Sequence, residues 1–194
     1  MFQLKVDPDL ELRMLSTLDA EPLFELVAAN RQYLKPWIRW PDQIQSVNDA
    51  LTAIIKNRND YRVHKSLLTG IFFRGNLVGA VGLNHLDLIN QKSGIGYWLG
   101  ESYQGKGIMT RAVRALIRYA FIHLRMNRIE IECATNNLSS QGVPARLGFQ
   151  QEGIRRQSEY VNGHFVDMVV FSLLRSEWAQ QAPTTVSGHP ETNL

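Results

Sequence analysis

The stretch Tyr97-Trp98-Leu99-Gly100-Glu101-Ser102-Tyr103-Gln104-Gly105-Lys106-Gly107-Ile108-Met109-Thr110 constrains the fold more than any other part of the chain. An apolar strand-like run enters a loop framed by Gly105 and Gly107. That loop opens the cleanest helical pattern in the sequence, with Val113, Leu116, Ile117, Ala120, Phe121 and Leu124 on one face and arginines opposite. Ile129, Ile131 and Cys133 then alternate with Glu130 and Glu132, the period of a half-buried strand. Strand, glycine turn, long helix and strand, in that order, predict a βαβ crossover in a mixed sheet.

The flanks agree with this. Thr17 and Asp19 open a first helix carrying Leu23, Leu26 and Val27, which fades before Pro36. The two prolines in Tyr33-Leu34-Lys35-Pro36-Trp37-Ile38-Arg39-Trp40-Pro41 rule out a regular helix there and leave an aromatic loop fit to line a site. Ser46, with Asp49 after it, caps a second helix that presents Val47, Ala50, Leu51, Ile54 and Ile55. Leu67 to Phe73 and Leu77 to Leu83 form a hairpin about Arg74-Gly75-Asn76, and Ser93 to Leu99 forms a third strand. A short helix over 140–147 stops at Gly148, and strands over 153–160 and 165–174 flank the turn Val161-Asn162-Gly163-His164. The expected fold is α/β, of the α+β mixed-sheet kind, mostly antiparallel with flanking helices. It is one domain over 1–180, followed by a disordered polar tail over 181–194.

Composition narrows the function. A formal charge of +3 suits an anionic ligand but is too small and too dispersed for nucleic acid. Arg111, Arg114, Arg118, Arg125 and Arg128 read as a solvated helix face and its continuation. No apolar run is long enough to cross a bilayer and the first residues lack a signal-peptide core, which predicts a cytoplasmic protein that makes no membrane contact. Cys133 is the only cysteine, and its place on the apolar face suggests packing. His64, His85, His123, His164 and His189 have no metal-ligand spacing; no metal is expected.

Glycines admit a ligand close to the backbone, and a helix N-terminus carries about half a positive charge, so the loop at Gly105–Gly107 is suited to a phosphate or pyrophosphate. Lys106 adds a point charge. The dinucleotide fingerprint fails because Thr110 stands where its third glycine belongs. Gly100 and Gly105-Lys106 meet most of the P-loop pattern, but Gly107 occupies the place of the Mg²⁺-binding Ser or Thr, and the strand after the helix ends without an aspartate.

Gln104-x-x-Gly107-x-Met109 resembles the phosphate loop of the GNAT superfamily of N-acetyltransferases, with Met109 in place of a small residue. Asn137-Leu138-Ser139-Ser140, followed by Val143 and Leu147-Gly148-Phe149, is similar to a second segment of that family. Gly94 to Leu99, the Trp37–Trp40 loop and Glu159-Tyr160-Val161-Asn162-Gly163 resemble the RimL/RimJ-type subgroup, which acetylates ribosomal-protein N-termini. The resemblance spans about residues 10–178. It implies acetyl-CoA in a splayed V of the sheet. The pyrophosphate would lie on the amides of Gly105, Lys106, Gly107, Ile108, Met109 and Thr110, beside Gln104. The pantetheine arm would run along Tyr97, Trp98 and Leu99, with an N–H near Leu99 polarising the thioester carbonyl. Asn137 is expected to hold the pantetheine or to shape its turn.

The catalytic candidates carried over are Glu159, as base for the amine, and Ser140, as proton donor to the leaving thiolate. A solvent-facing strand carboxylate remains the alternative for Glu159, and a helix N-cap for Ser140. Trp37, Trp40 and Tyr160 are expected to contact the acceptor. The expected reaction is direct acetylation of a protein N-terminal amine, such as that of a ribosomal protein, by a possible homodimer. Acetylation of a small amine (polyamine, amino sugar or xenobiotic) and non-catalytic coenzyme A binding are the alternatives.

Overall fold

The structure is a computed structural model that describes residues 2–181. Its strands are β1 (Gln3–Lys5), β2 (Leu10–Arg13), β3 (Leu67–Phe73), β4 (Asn76–Asp87), β5 (Lys92–Leu99), β6 (Arg128–Ala134), β7 (Gln150–Val161) and β8 (His164–Leu174). Its helices are α1 (Ala20–Leu34), α2 (Val47–Arg62), α3 (Ile108–Ile122), α4 (Leu138–Arg146) and α5 (Arg175–Gln181). The strands form one sheet in the order β1-β2-β3-β4-β5-β6-β8-β7. Every neighbouring pair is antiparallel except β5 and β6, which α3 joins in parallel. The mixed sheet and its βαβ crossover are therefore as the sequence predicts.

Turn chemistry sets the hairpins. Arg74-Gly75 and Asn162-Gly163 both hold positive φ at their two central positions, as the right-handed twist of the flanking strands requires. The Ser46 hydroxyl accepts from the Asp49 amide at 3.2 Å, and the Asp49 carboxylate accepts from the Gln45 amide at 3.0 Å, so the predicted cap closes the start of α2. Val47 and Ile55 on that helix face solvent, however, and only Ala50 and Ile54 are fully buried.

The sheet carries a layer on each face. Leu116, Ile117 and Phe121 of α3 are at most 2% exposed against β2 to β6 and β8, and burying each contributes about 2 kcal/mol. Leu23 and Val27 of α1 and Ala50 and Ile54 of α2 pack on the opposite face with Leu15 and Phe72.

Five features lie outside the sequence reading. β1 and β2 were not expected, β4 runs four residues past Leu83, α4 begins at Leu138 instead of Ser140, β7 begins at Gln150 instead of Gly153, and α5 follows β8. The tail expected over 181–194 falls outside the described residues beyond Gln181. Two arginines are also not simply solvated. Arg111 pairs with Asp7 at 2.6 Å, and Arg128 bonds both Glu130 and Glu152. No helix among the described residues is long and apolar enough to cross a membrane.

Candidate active site

The parallel register of β5 and β6 covers only Lys92↔Arg128 through Gly94↔Glu130. Beyond it β5 keeps pairing with β4 and β6 with β8, so the sheet opens into a V. Along the open edge of β5 lie Tyr97, Trp98 and Leu99. The Gly100 N–H donates to the Val78 carbonyl at 2.8 Å, on the β4 side. By strand alternation the Leu99 N–H points the other way, into the V.

The glycine loop follows directly. Gly105 and Gly107 hold φ of +71° and +69°, and Gly107 stands at the N-cap of α3 with no side chain capping the helix. A Cβ at either glycine would meet nothing within 4 Å, and the first turn holds no acidic residue. An exposed, uncapped helix N-terminus of this kind fits a pyrophosphate. Helix α1 braces the loop: Asn30 Oδ1 accepts from the Glu101 backbone N–H at 2.8 Å, and the Gln104 side-chain Nε2 donates to the Tyr33 hydroxyl. The Lys106 ammonium bonds the Ser102 carbonyl at 2.9 Å. The side chains of Ile108 and Met109 are buried in the core, so these residues offer a ligand only their backbone. That also accommodates Met109 where the family pattern has a small residue. Thr110 accepts from Arg146 Nε at 3.3 Å, bringing a further guanidinium to the loop.

Side chains of Ile95, Tyr97 and Leu99 on β5, and Ile131 and Cys133 on β6, turn toward α3. There the Asn137 side chain caps α4, accepting from the Ser140 amide at 3.1 Å. Asn137 thus shapes the turn. Ser140 is not the N-cap considered for it; its hydroxyl is free to lie 3.2 Å from Cys133 Sγ and 3.3 Å from the Tyr97 hydroxyl. Burial pushes the Tyr97 hydroxyl well above its ordinary pKa and raises the Cys133 thiol, so both stay protonated at neutral pH.

The opposite face of the V holds a cleft of about 810 Å³. Gly94 and Gly96 form its floor, Glu130, Glu132 and Ala134 one wall, and Trp37, Arg39 and Trp40 another. Trp40 packs edge-on against Trp98, with ring centroids 5.4 Å apart, which fixes the aromatic loop to β5. Asn162, at the β7–β8 turn, donates to the Lys35 carbonyl and ties the hairpin to that loop.

Glu159 reaches the cleft because the register of β7 on β8 slips between Arg155 and Glu159. Gln157 takes φ of +50° there and donates its amide to Asp167 at 2.8 Å, a bulge that re-aims the strand beside the site. Tyr160 does not join Glu159. It packs edge-on against Phe165, with ring centroids 5.0 Å apart, and is absent from the cleft wall. His85, which the sequence singles out only as lacking metal-ligand spacing, lines the cleft, as do Glu130 and Glu132. The polar half of the β6 alternation was the signal for the two glutamates. Among the described residues no group of three His, Cys, Asp or Glu could hold a metal ion.

A split parallel pair beside a bare helix N-terminus, with hydroxyls on one face and a carboxylate on the other, defines an acyltransferase built for a coenzyme A thioester. Residues 9–150 match the Acetyltransferase (GNAT) domain, and the chain belongs to that family, whose acyl donor is acetyl-CoA. It is 40% identical over 179 residues to YdaF of Bacillus subtilis, covering 92% of this chain and 98% of that one. It is 31% identical over 169 residues to the ribosomal-protein-serine acetyltransferase of Escherichia coli, covering 87% and 94%. It superposes with TM-score 0.86 on RimL, the ribosomal L7/L12 α-N-protein acetyltransferase in complex with coenzyme A, at 29% identity over 91% of this chain and 99% of that one.

Proposed function

We propose that this protein acetylates the N-terminal amine of a ribosomal protein, working in the cytoplasm as a single acetyltransferase domain over 1–180. The observation that carries this reading is the cleft of about 810 Å³ on the far side of the V from the glycine loop, with Glu159 in its wall. That volume is at the upper end of drug-sized sites and admits several residues of an extended chain more naturally than one small amine. Acetyl-CoA supplies an activated thioester carbonyl. The amides after Gly107 bind and orient the donor's pyrophosphate, and the Leu99 N–H is directed at the carbonyl oxygen. Glu159 accepts the amine proton, directly or through water. The Ser140 hydroxyl, on the opposite face, donates to the Tyr97 oxygen in the free protein and turns from it to hydrogen-bond the departing sulfur. Trp37 and Trp40 wall the acceptor's path. The likeness to a ribosomal-protein-serine acetyltransferase supports the choice of acceptor. A homodimer is consistent with the long β7, exposed for most of its length at the sheet edge. Nucleic acid has no direct role in the reaction.

A coenzyme A-release assay across N-terminal peptides of ribosomal proteins, polyamines and amino sugars tests this. Peptides with a free α-amine should exceed the small amines in kcat/KM by about tenfold or more, a modest difference in transition-state binding. A small amine turned over fastest would overturn the reading.

A further inference from the structure

Three carboxylates line the cleft, and each meets an arginine. Glu130 lies 2.7 Å from Arg128 and Glu132 lies 2.6 Å from Arg155, both pairs lying within the sheet. Glu159 meets Arg39 at 3.4 Å, and this pair is built differently. Its arginine comes from the aromatic loop between Pro36 and Pro41. Its side chains are 62% and 43% exposed, the most open of the three pairs. Such a pair gains little in water and exchanges easily.

The Arg39–Glu159 pair is also the one that involves the carboxylate assigned above to the acceptor amine. An incoming ammonium is a cation bound for the same carboxylate, so Arg39 occupies in the free protein the place that the acceptor amine takes. Arg39 cannot go far once displaced. Trp40 is packed on Trp98, and Asn162 holds the carbonyl of Lys35, so the loop keeps the guanidinium at the rim of the cleft. There it faces the acceptor chain just behind its terminus. An extended chain advances about 3.3 Å per residue, and a side chain such as Arg or Glu reaches further still, so the second to fourth residues of the acceptor pass within range. A planar guanidinium released from one carboxylate is well matched to another, which it can engage through two parallel hydrogen bonds.

We propose that Arg39 determines acceptor specificity by exchanging Glu159 for an acidic side chain at the second, third or fourth position of the acceptor polypeptide. The inference rests on Glu159 being the residue that receives the amine. Acceptors are thus N-termini followed closely by Asp or Glu, and N-termini followed by Lys or Arg are disfavoured by like charge.

The test uses peptides that differ only in carrying Glu, Gln or Lys at these positions, with the parent protein and the variants Arg39→Ala, Arg39→Lys and Arg39→Glu. With the parent, Glu peptides should exceed Gln peptides about tenfold in kcat/KM, through KM and with kcat little changed, as expected for a partly exposed charged hydrogen bond. Arg39→Ala should lose the preference, Arg39→Lys should keep part of it, and Arg39→Glu should favour the Lys peptides. No preference in the parent, or an undiminished one in Arg39→Ala, would overturn the proposal. The same peptides titrated into the protein–coenzyme A complex, followed by tryptophan fluorescence, separate the two readings. An Arg39-dependent preference in binding without acetylation would remove the proposed reaction and leave the role of Arg39. Acetylation indifferent to the acidic residue would do the reverse.

Discussion

The Tyr97 hydroxyl donates to the Ser140 carbonyl at 2.9 Å and accepts from the Ser140 hydroxyl at 3.3 Å, so one side chain of β5 holds the start of α4 across the opening of the sheet. The two residues stand 43 positions apart in the chain. Their contact positions the hydroxyl proposed to meet the departing sulfur, and it also staples the two walls of the V. Function and stability are joined at this point.

Tyr97→Phe should therefore lower both. Loss of the hydrogen bonds should cost about 1–2 kcal/mol, a fall of roughly 2–8 °C in melting temperature for a domain of this size. With Ser140 less well held, kcat should drop about tenfold. The pH dependence has a definite sign. Burial raises the Tyr97 pKa in the folded state, so above about pH 10 the unfolded chain loses this proton while the folded one keeps it. The Tyr97 contribution is intact below pH 10 and is lost progressively as pH rises toward the folded value. Alkaline melts should accordingly show the parent losing its advantage over Tyr97→Phe above pH 10. A constant difference from pH 7 to 11 would contradict the assignment.

Gly107→Glu should abolish acetyl-CoA binding, because it puts a carboxylate among the amides assigned to the pyrophosphate. The site is open, so the cost to the fold is confined to the left-handed backbone, about 1–2 kcal/mol. Gly107→Ala carries the same backbone cost without the charge and should retain most of the affinity. Isothermal titration with acetyl-CoA distinguishes the two. Equal affinity in Gly107→Glu and the parent would place the phosphate elsewhere.

Much of this architecture was legible in the sequence, because its central elements follow single strong periodicities. The α3 pattern and the Ile129–Cys133 alternation fixed the crossover, and Asn162-Gly163 fixed the last hairpin. Weaker signals failed for identifiable reasons. β1 and β2 have three and four residues, too few to establish a period of two. β4 continues through Asn84 and His85, polar residues beyond the apolar run that defines its start. Val47 and Ile55 have the right spacing but overrun the buried stripe of α2. At the site, the glycine loop announced itself, whereas the bulge at Gln157 used no glycine to mark it. The Tyr97–Ser140 contact and the Arg39–Glu159 pair join residues distant in the chain, and no local pattern encodes either.

Gly94 tests the acceptor side alone. It lies on the cleft floor, and a Cβ there would meet nothing within 4 Å, so a larger side chain fits the strand and projects into the acceptor's space. Gly94→Val should fold normally, bind acetyl-CoA as the parent does, and raise the acceptor KM about tenfold or more, the loss expected from a steric block in a shaped site. Unchanged acceptor KM, measured by initial rates at saturating acetyl-CoA, would show that the acceptor takes another route.

Direct acetyl transfer in the V, as proposed, requires Glu159 to act as the base on the acceptor face. The most direct measurement is the kcat of Glu159→Gln against pH, with saturating acetyl-CoA and an N-terminal peptide. A loss of about 10²-fold or more is expected near neutral pH, with acetyl-CoA affinity unchanged. The loss should shrink above about pH 8, where an α-amine arrives already deprotonated. A variant that keeps the parent kcat at pH 7, or whose deficit is the same at every pH, would contradict it.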